Sequence, residues 1–351
     1  MEFKVEIKET ISESDWNDSL LRSKDSFSVQ TVNNFFALKD GYNSQPIFIE
    51  VLNKNNEIVG QLAVSIDIDF FWADSNTIIS KFAKIFSIGK NIRWEYGPII
   101  FDKKNYYEIF ELMIKTLITI GKNNKVSLVY GTFPPLAISN SYNFKNFKKN
   151  LKDWSTIIVN TNSTIEEYYS SLNKKTRYDI RKSENTGLKF SVTSDLESLN
   201  LYAKLKILSK KQSKLPILKN QVFPNSRFNF LHKNGLEKLF LVHHNDELLG
   251  GLLVGIFNGN AIEISTTILS KKELLPGVFL TWNVLKWCHE NGIKSFDFGG
   301  VNPNPKSEKE LSIFKFKSKW GGNQVNYKIL SVILNSSNYS LSRLLKFCNK
   351  F

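Results

Sequence analysis

The sequence predicts a mixed α/β protein made of two similar halves. Residues 55–66 read NNEIVGQLAVSI and residues 245–256 read NDELLGGLLVGI, so Gly60 aligns with Gly250 at an offset of 190 residues. Each copy follows an apolar segment and a short polar turn, which is the pattern of a β-hairpin. The order of elements after each hairpin also agrees. Duplication of one ancestral domain therefore explains the pattern better than a chance similarity of two hairpins.

The elements of the first half begin with MEFKVEIKE, whose alternating apolar residues predict a strand and not a signal peptide. IFIEVL leads into the first hairpin, and an extra segment at about residues 69–90 precedes RWEYGPII. A polar loop and the helical stretch YYEIFELMIKTLITIGKNNK then lead to the strand VSLVYGTF. A helix between two strands is a crossover long enough for parallel pairing.

The second half repeats this order. LFLVHH leads into the second hairpin, and AIEISTTIL, the loop SKKELLPG, the helical stretch VFLTWNVLKWCHENG and the strand IKSFDFGG follow. Gly292 stands where a glycine would end the helix. Between the halves, STIIVN predicts a strand, and Ser163 with Glu166 predicts a capping box for one helix running to Gly187. We therefore predict domains at 1–154 and 155–330, with a tail at 331–351 that docks back on the first domain.

The composition predicts a globular protein with polyanionic partners. There are 47 basic and 33 acidic residues, a formal charge of +14, which favours nucleic acid, phosphorylated substrates or anionic membrane. A lysine-rich but merely solvated surface is the alternative. Two cysteines imply no disulfide framework and fit a reducing cytoplasm. The apolar runs are far shorter than the about 18 residues of a membrane span, so we expect no transmembrane segment.

Three stretches resemble the Fem family of peptidyltransferases, which move an amino acid from aminoacyl-tRNA to an amine of a peptidoglycan precursor. They are the basic segment KKTRYDIRKSENTGLKF, the long segment from GGLLVGIF to KSFDFGG, and FKFKSKWGG near the C-terminus. GPII at 97–100 is a weaker match. The order of these stretches along the chain is more specific than any one of them.

The resemblance implies two tandem GNAT-like (acyltransferase) domains without the coiled-coil arm of some family members, since residues 190–235 hold no sustained heptads. It implies a precursor-binding cleft mainly in the first domain and a channel for the aminoacyl ester between the domains. The expected partners are aminoacyl-tRNA, as co-substrate, and a phosphorylated or lipid-linked cell-wall precursor. We expect a monomer that needs neither a metal nor a bound cofactor.

The resemblance assigns the chemistry first to Lys317, which would stabilise the oxyanion that forms when an amine attacks an ester carbonyl. Phe316 would shape the same pocket, and Asp297 would orient the amine or act as a base. Two alternatives stay open. Lys317 could lie on the solvated face of a strand, because lysines alternate with aromatic residues in this segment, and Asp297 could cap the turn after its strand.

Substrate contacts are expected at two cations and two aromatic residues. Lys39 and Arg227 match, loosely, the positions at which family members bind the precursor's diphosphate, and surface charge is the alternative for each. Trp94 and Tyr96 precede the Gly-Pro break at position 97, where a sugar or peptide could stack on them. An aromatic core is the alternative for this pair.

The basic segment predicts phosphate contact. Lys174, Arg177 and Arg181 recur at helical spacing on one face, with Lys175 beside them, so the helix could follow the tRNA backbone. The alternative is a solvated helix paired with neighbouring glutamates. The C-terminal stretch SLSRLLKFCNKF forms an apolar helical face, for which peripheral contact with anionic lipid is a minority interpretation.

Two other functions remain in view. Neither half has the glycine-rich pyrophosphate loop of acetyl-CoA-dependent enzymes, which disfavours ordinary acyl-CoA use without excluding it. The main alternative is therefore an acyl-CoA-dependent N-acyltransferase acting on an amino sugar of a surface glycan. The second is a non-catalytic relic of the fold that binds RNA or membrane. No spacing of histidines or cysteines suggests a metal site.

Overall fold

A computed structural model describes residues 3–68, 81, 83, 85–136, 145–212 and 223–348. The described chain forms two compact units, which divide between Asp153 and Trp154. Unit 1 comprises the described residues up to Asp153 together with those from Tyr327 onward, and unit 2 comprises the described residues from Trp154 to Asn326. Of the predicted extra segment at 69–90, residues 69–80, 82 and 84 lie outside the described residues.

Unit 1 contains one mixed sheet in the order β1-β2-β3-β4-β6-β13, with the short β5 paired to β3. Only β4 and β6 are parallel; the other described pairings are antiparallel. The strands are β1 (Lys4–Lys8), β2 (Gln45–Leu52), β3 (Ile58–Ile68), β4 (Lys90–Trp94), β5 (Ile99–Ile100), β6 (Leu128–Thr132) and β13 (Asn323–Ile333), whose first four residues belong to unit 2. The helices are α1 (Glu13–Leu21), α2 (Val32–Tyr42), α3 (Tyr106–Asn123) and α10 (Ser336–Cys348).

The core of unit 1 forms around helix α3, the predicted crossover between its parallel strands. Ile109, Met113 and Leu117 recur at helical spacing and are completely buried. They pack with the apolar residues of β2, β3 and β6 in one cluster. Burying an amphipathic helix on one face of a sheet is the main stabilising interaction of such a layer.

In unit 2 the strands of the mixed sheet follow the order β7-β12-β11-β10-β9-β8. Here β11 and β12 are the parallel pair. The strands are β7 (Leu151–Asn160), whose first three residues belong to unit 1, β8 (Lys189–Thr193), β9 (Glu237–His244), β10 (Glu247–Phe257), β11 (Asn260–Ile268) and β12 (Ser295–Val301). The helices are α4 (Ile165–Ser171), α5 (Lys174–Glu184), α6 (Leu196–Gln212), the single turn α7 (Pro224–Arg227), α8 (Pro276–Glu290) and α9 (Glu308–Ser318). Among the described helices of both units, none has the length and apolarity that a membrane span requires.

Helix α8 has in unit 2 the place that α3 has in unit 1. Leu280, Val284, Leu285 and Cys288 are completely buried in the core cluster of this unit. Proline occupies the first turn, where its missing N–H has no intrahelical acceptor to lose. Gly292 follows the helix with a φ of +70°, a conformation that glycine adopts without steric cost.

Two local predictions are wrong. The single helix predicted from Ser163 to Gly187 is two helices, α4 and α5, because Leu172 between them has an extended backbone. The capping box is one residue later than predicted: Thr164 accepts the Glu167 N–H at 3.2 Å, and the Glu167 carboxylate accepts the Thr164 N–H at 3.0 Å. Serine and threonine are both good capping residues, so their adjacency made the start of the helix ambiguous.

The two predicted hairpins are β2–β3 and β9–β10, and each contains a β-bulge at the same position. Val59 lies between Ile58 and Gly60, which pair with successive residues of β2. Leu249 is likewise skipped in the pairing of β10 with β9, immediately before Gly250. Because a bulge is a specific irregularity, its recurrence at an offset of 190 residues supports duplication more strongly than the strand pattern does.

Candidate active site

The candidate site in unit 2 begins where its parallel strands stop pairing. β11 and β12 pair at three positions, ending with Ile262 opposite Asp297. Beyond that point β12 continues beside β7 with a shift in register between Asp297 and Gly300, and Gly299 has a φ of +70°. Backbone groups past the end of the β11–β12 ladder need other partners. Two of these carbonyl groups accept hydrogen bonds from a lysine.

That lysine is Lys317, in the last turn of α9. Its ammonium donates to the Phe298 carbonyl and to the Gly299 carbonyl at 3.4 Å, and lies 3.8 Å from a carboxylate oxygen of Glu263. Only 13% of the side chain is exposed. The cation is therefore held in a fixed orientation at the end of the parallel pair, and it is not on a strand.

The position of Lys317 follows from the start of its helix. Ser307 accepts the Glu310 N–H at 3.2 Å, and the Glu310 carboxylate accepts the Ser307 N–H at 3.3 Å, a capping box that begins α9. The predicted strand alternative is thus wrong for Lys317, although the alternation of lysine with aromatic residues resembles a strand. The serine and glutamate upstream were the sequence signal for a helix.

Glu263 was not predicted as a functional residue. It is the first residue of β11 beyond the positions that pair with β12, and its side chain is 16% exposed. Burial raises the pKa of the Glu263 carboxyl above its ordinary value, while the charge of Lys317 and a hydrogen bond from Thr266 act in the opposite direction. A carboxyl group with a raised pKa next to a fixed cation is a frequent feature of catalytic sites. A charged residue within the apolar strand AIEISTTIL was the available sequence signal.

Asp297 is completely buried and holds the turn of β12. Its carboxylate accepts the Gly299 N–H at 2.7 Å and a hydrogen bond from the Thr156 hydroxyl. These are the hydrogen bonds expected if Asp297 caps the turn after its strand, which was the alternative to a catalytic role. They fix the backbone of Gly299, whose carbonyl accepts from Lys317, so the structure brings the two predicted catalytic residues together through Gly299.

Phe316 packs against the core of unit 2 beside the start of helix α8. Its ring lies 3.9 Å from the position that a Cβ on Gly277 would take, and it meets Trp320 edge to face with centroids 6.2 Å apart. The first residue of α8 is Pro276, which has no N–H. The first turn of α8 therefore offers fewer backbone donors to a pyrophosphate than a typical helix start.

Trp94 and Tyr96 lie in unit 1, and both are 4% exposed. The Trp94 indole covers Gly131 of the parallel partner strand so closely that a Cβ there would come within 2.1 Å of it. Tyr96 meets Phe27 and Tyr327 edge to face. Burial leaves a stacking ligand little ring surface to contact, so the structure favours the aromatic-core alternative for this pair.

The two cations predicted to bind diphosphate differ in their surroundings. Lys39, in unit 1, is exposed near the end of α2. Arg227, in unit 2, forms a two-pronged ion pair with the buried Glu237, with Nε at 2.9 Å from the carboxylate. His232 Nε2 lies 2.7 Å from the same carboxylate. Burial alone would raise the pKa of Glu237, but Arg227 and His232 lower it, so the carboxylate competes with any phosphate for Arg227.

The predicted phosphate-binding residues lie on helix α5. Lys174, Lys175 and Arg181 are exposed, while Arg177 is half-buried and donates to the Ser170 carbonyl at 2.6 Å. Lys175 pairs at 3.3 Å with Asp179, an aspartate one turn later on the same helix. Three of the four cations therefore present their charge to solvent, as contact with a phosphate backbone requires.

A further basic group in unit 2 was not predicted. Lys206 on α6 is half-buried, and burial, reinforced by the charges of Arg227 and Lys210, lowers its pKa to about 8. One helical turn earlier, the Tyr202 hydroxyl donates to the Ser265 carbonyl at 2.9 Å. The proximity of Lys206 to Arg227 arises only from tertiary packing, so no sequence motif reveals it.

Comparison with known proteins supports the fold described above. A family model described as an acetyltransferase (GNAT) domain matches residues 170–310. Along the whole chain, the structure of FemX is similar with a TM-score of 0.69 and 16% identity, covering 97% of this chain and 99% of FemX. This chain has a tandem GNAT fold. The predicted mixed α/β class is therefore confirmed.

Two further solved structures resemble the tandem GNAT chain. One is the tandem GNAT protein from the clavulanic acid biosynthesis pathway, with a TM-score of 0.56, 9% identity and coverage of 95% and 99%. The other is the C-terminal domain of a putative lysylphosphatidylglycerol synthetase from Agrobacterium fabrum, with a TM-score of 0.54, 9% identity and coverage of 95% of each chain. Both show the same fold.

Curated relatives of the tandem GNAT chain carry the name lipid II:glycine glycyltransferase. The protein from Staphylococcus haemolyticus is 25% identical over 43% of this chain, and one from Staphylococcus epidermidis is 27% identical over 44%. The matches span only 37% and 38% of the length of these relatives. The resemblance to the Fem family noted in the sequence is confirmed.

Proposed function

We propose that this chain transfers an aminoacyl group from aminoacyl-tRNA to an amine of a lipid-linked or phosphorylated cell-wall precursor. The observation that carries the proposal is the fixed ammonium of Lys317 at the end of the parallel strands of a GNAT domain. Likeness to lipid II:glycine glycyltransferases and to the FemX fold supports the choice of substrates. The exposed cations of helix α5 support a nucleic-acid donor.

In the proposed reaction, the acceptor amine attacks the ester carbonyl of the aminoacyl-tRNA. A carbon–nitrogen bond forms, the ester carbon–oxygen bond breaks, and the terminal ribose hydroxyl of the tRNA leaves. Lys317 stabilises the negative charge that develops on the carbonyl oxygen. A pre-oriented donor of this kind typically accelerates acyl transfer by about 10²–10³-fold, because it needs no reorganisation when the charge appears.

Glu263 completes the proton balance of this reaction. An attacking amine must lose a proton, and the leaving ribose oxygen must gain one. We assign both transfers to the Glu263 carboxylate, whose raised pKa brings it closer to the working pH than an ordinary glutamate. Asp297 serves as a positioning residue through its hydrogen bond to Gly299.

The test is a transfer assay with the purified chain. Candidate donors are tRNAs charged with several amino acids, and candidate acceptors are cell-wall precursors with a free amine, both lipid-linked and lipid-free. We expect a new amide in at least one combination and none when the tRNA is uncharged. Absence of transfer in every combination, by protein that melts cooperatively, would overturn the proposal.

The acyl-CoA alternative is favoured by one observation, the match of residues 170–310 to a domain described as an acetyltransferase. In that reaction the acceptor would be an amino sugar of a surface glycan. Thermal shift separates the two, because a ligand that binds only the folded state raises its melting temperature. Strong stabilisation by acyl-CoA would favour this alternative, whereas stabilisation by charged tRNA supports aminoacyl transfer.

A further inference from the structure

Helix α9 carries Lys317 but has little core packing of its own. None of its 11 residues is fully buried, and Leu311 and Ile313 are exposed. Phe314 and Phe316 pack only in part against the core cluster of unit 2. Most of the stability of a protein helix comes from the packing of an apolar face, so α9 needs other contacts to hold Lys317 in one place.

Hydrogen bonds from α4 and α5 meet the chain just after α9 ends. The Thr176 hydroxyl of α5 donates to the Lys319 carbonyl at 3.2 Å, and the Tyr168 hydroxyl of α4 donates to the Trp320 carbonyl at 2.6 Å. Thr176 is 1% exposed and Tyr168 6%. Carbonyl groups at the C-terminus of a helix lack intrahelical partners, so buried hydroxyls that reach them fix the place where the helix ends.

An ion pair joins α5 to the same end of α9. The Lys319 ammonium lies 3.7 Å from the Asp179 carboxylate, which also pairs with the exposed Lys175. It lies over the rings of Phe316 and Trp320, at 5.0 and 5.3 Å from their centroids. Burial lowers the pKa of Lys319 below its ordinary value, and the charge of Asp179 opposes this change. A pair of partly buried charges is less screened by solvent than an exposed pair.

We propose that Tyr168, Thr176 and Asp179 position Lys317 for the transfer reaction. We name these three residues the α9 anchor. They hold the segment that directly follows the last turn of α9, and so set the direction from which the Lys317 ammonium reaches the Phe298 carbonyl. Each acts through Lys317 and is therefore a positioning residue. The proposal rests on the proposed aminoacyl transfer and adds the residues that orient its fixed cation.

The α9 anchor also joins two parts of the proposed reaction. Helix α5, which supplies two of its members, presents Lys174, Lys175 and Arg181 to solvent for the donor. The same helix is fixed in the core of unit 2 by Ile180, which is completely buried. A donor bound through these cations is thus held by the element that fixes Lys317. This matters because a misplacement of about 1 Å can cost about 100-fold in rate.

The experiment compares aminoacyl transfer by Thr176→Val/Asp179→Asn with that by wild type. Valine and asparagine keep the shapes of the original side chains but remove the hydroxyl and the charge. We expect kcat to fall by up to about 100-fold, and KM for charged tRNA to stay close to the wild-type value. Tyr168→Phe, which removes only the remaining hydrogen bond, should act in the same direction. Thr176→Ser keeps the hydroxyl and should retain the wild-type kcat.

Glu184→Gln is the matched control. It removes one negative charge from the last residue of α5, where the carboxylate accepts a hydrogen bond from the Trp282 indole of α8 at 3.1 Å. Its net charge therefore equals that of the anchor variant. Its kcat should match that of wild type, and a fall as large as in the anchor variant would overturn the proposal.

A double-mutant cycle tests whether the α9 anchor acts through Lys317. In the background of Lys317→Ala, Thr176→Val/Asp179→Asn should have no further effect on the rate, because no ammonium is left to misplace. Additive losses of rate would overturn the proposal. An unchanged kcat in the anchor variant of an active chain would also overturn it, and would leave the proposed function intact.

Hydrogen exchange makes the test independent of activity. In Thr176→Val/Asp179→Asn and in Tyr168→Phe, the amides in the C-terminal half of α9 should exchange faster than in wild type, whereas those of β9 and β10 should not change. Glu184→Gln should keep wild-type protection throughout. Unchanged protection of α9 in both anchor variants would overturn the proposal, even for a chain that transfers no aminoacyl group. Failure of the anchor is thereby distinguished from failure of the proposed function.

Discussion

The ammonium of Lys317 lies 3.8 Å from the carboxylate of Glu263, and it donates to the Phe298 carbonyl just past the last paired position of β11 and β12. The two side chains come from a helix and a strand that are far apart in sequence. Neither is more than 16% exposed, so each charge strongly affects the other. Their pairing gives the candidate site both a fixed cation and a nearby proton acceptor, and the first two predictions follow from it.

Lys317→Ala should lower the rate of aminoacyl transfer by about 100- to 1,000-fold, because a fixed donor to the oxyanion is lost. The affinity for charged tRNA should change little. Lys315→Ala is the matched control, since Lys315 is exposed two residues earlier on the same helix. Equal rates for the two variants in single-turnover measurements would show that Lys317 has no part in the chemistry.

Glu263→Gln should remove the acidic limb of the pH–rate profile, because a glutamine cannot accept the amine's proton. The variant should also change the pH dependence of stability. Burial raises the pKa of Glu263 above 4.5, so the folded state favours the protonated carboxyl. Wild type therefore loses stability as the pH rises from the unfolded pKa through the folded pKa. Chemical denaturation at several pH values should show a smaller loss in the variant, and an identical slope would contradict this assignment.

Asp297→Asn distinguishes a positioning residue from a base. Asparagine retains an oxygen that can accept the Gly299 N–H, so transfer should fall only slightly if Asp297 only positions the turn. Loss of a general base would instead cost about 10²–10⁴-fold. Asp297→Ala should lower both stability and rate, because the half-buried Gly299 N–H loses its acceptor. A wild-type pH–rate profile for Asp297→Asn completes the test.

Gly131→Ala should destabilise unit 1, because the added methyl group would overlap the Trp94 indole. We expect a loss of about 1–3 kcal/mol in the free energy of unfolding. In the background of Trp94→Ala the same glycine substitution should cost much less. Urea denaturation of the four members of this double-mutant cycle measures the coupling, and additive effects would argue against direct contact.

Replacing Lys174, Lys175 and Arg181 by glutamine should raise KM for charged tRNA and leave kcat nearly unchanged. Each lost phosphate contact should reduce the slope of log affinity against log salt by about 0.7–0.9. The control is a variant with Lys189, Lys204 and Lys211 replaced by glutamine, which removes the same charge from other exposed positions of unit 2. Equal effects of both variants would indicate that only net charge matters.

The sequence predicted the repeated hairpins and the two crossover helices because their apolar periodicities are local. It could not predict the bulges at Val59 and Leu249, since an unpaired residue depends on the partner strand. The break at Leu172 was also missed. Neither glycine nor proline marks this break, and the available signal was Asn173, which begins α5 by accepting the Thr176 N–H at 2.8 Å.

The candidate site was predicted only in part. The likeness to Fem proteins pointed to Lys317, and the predicted strand end FDFGG pointed to Asp297. The structure shows the proximity of the two residues. Glu263 and Lys206 were missed, because the properties that single them out are burial and neighbouring charge, and both arise only when distant elements pack. The raised or lowered pKa of such groups has no signature in a single sequence.

The cover that Trp94 forms over Gly131 also constrains how this protein can evolve. Shrinking the indole alone would leave a hole in a packed core, and enlarging the glycine alone would cause a collision. We expect each single mutation to be destabilising. A change of shape at the end of the β4–β6 pair therefore requires two coordinated substitutions, one at Trp94 and one at Gly131.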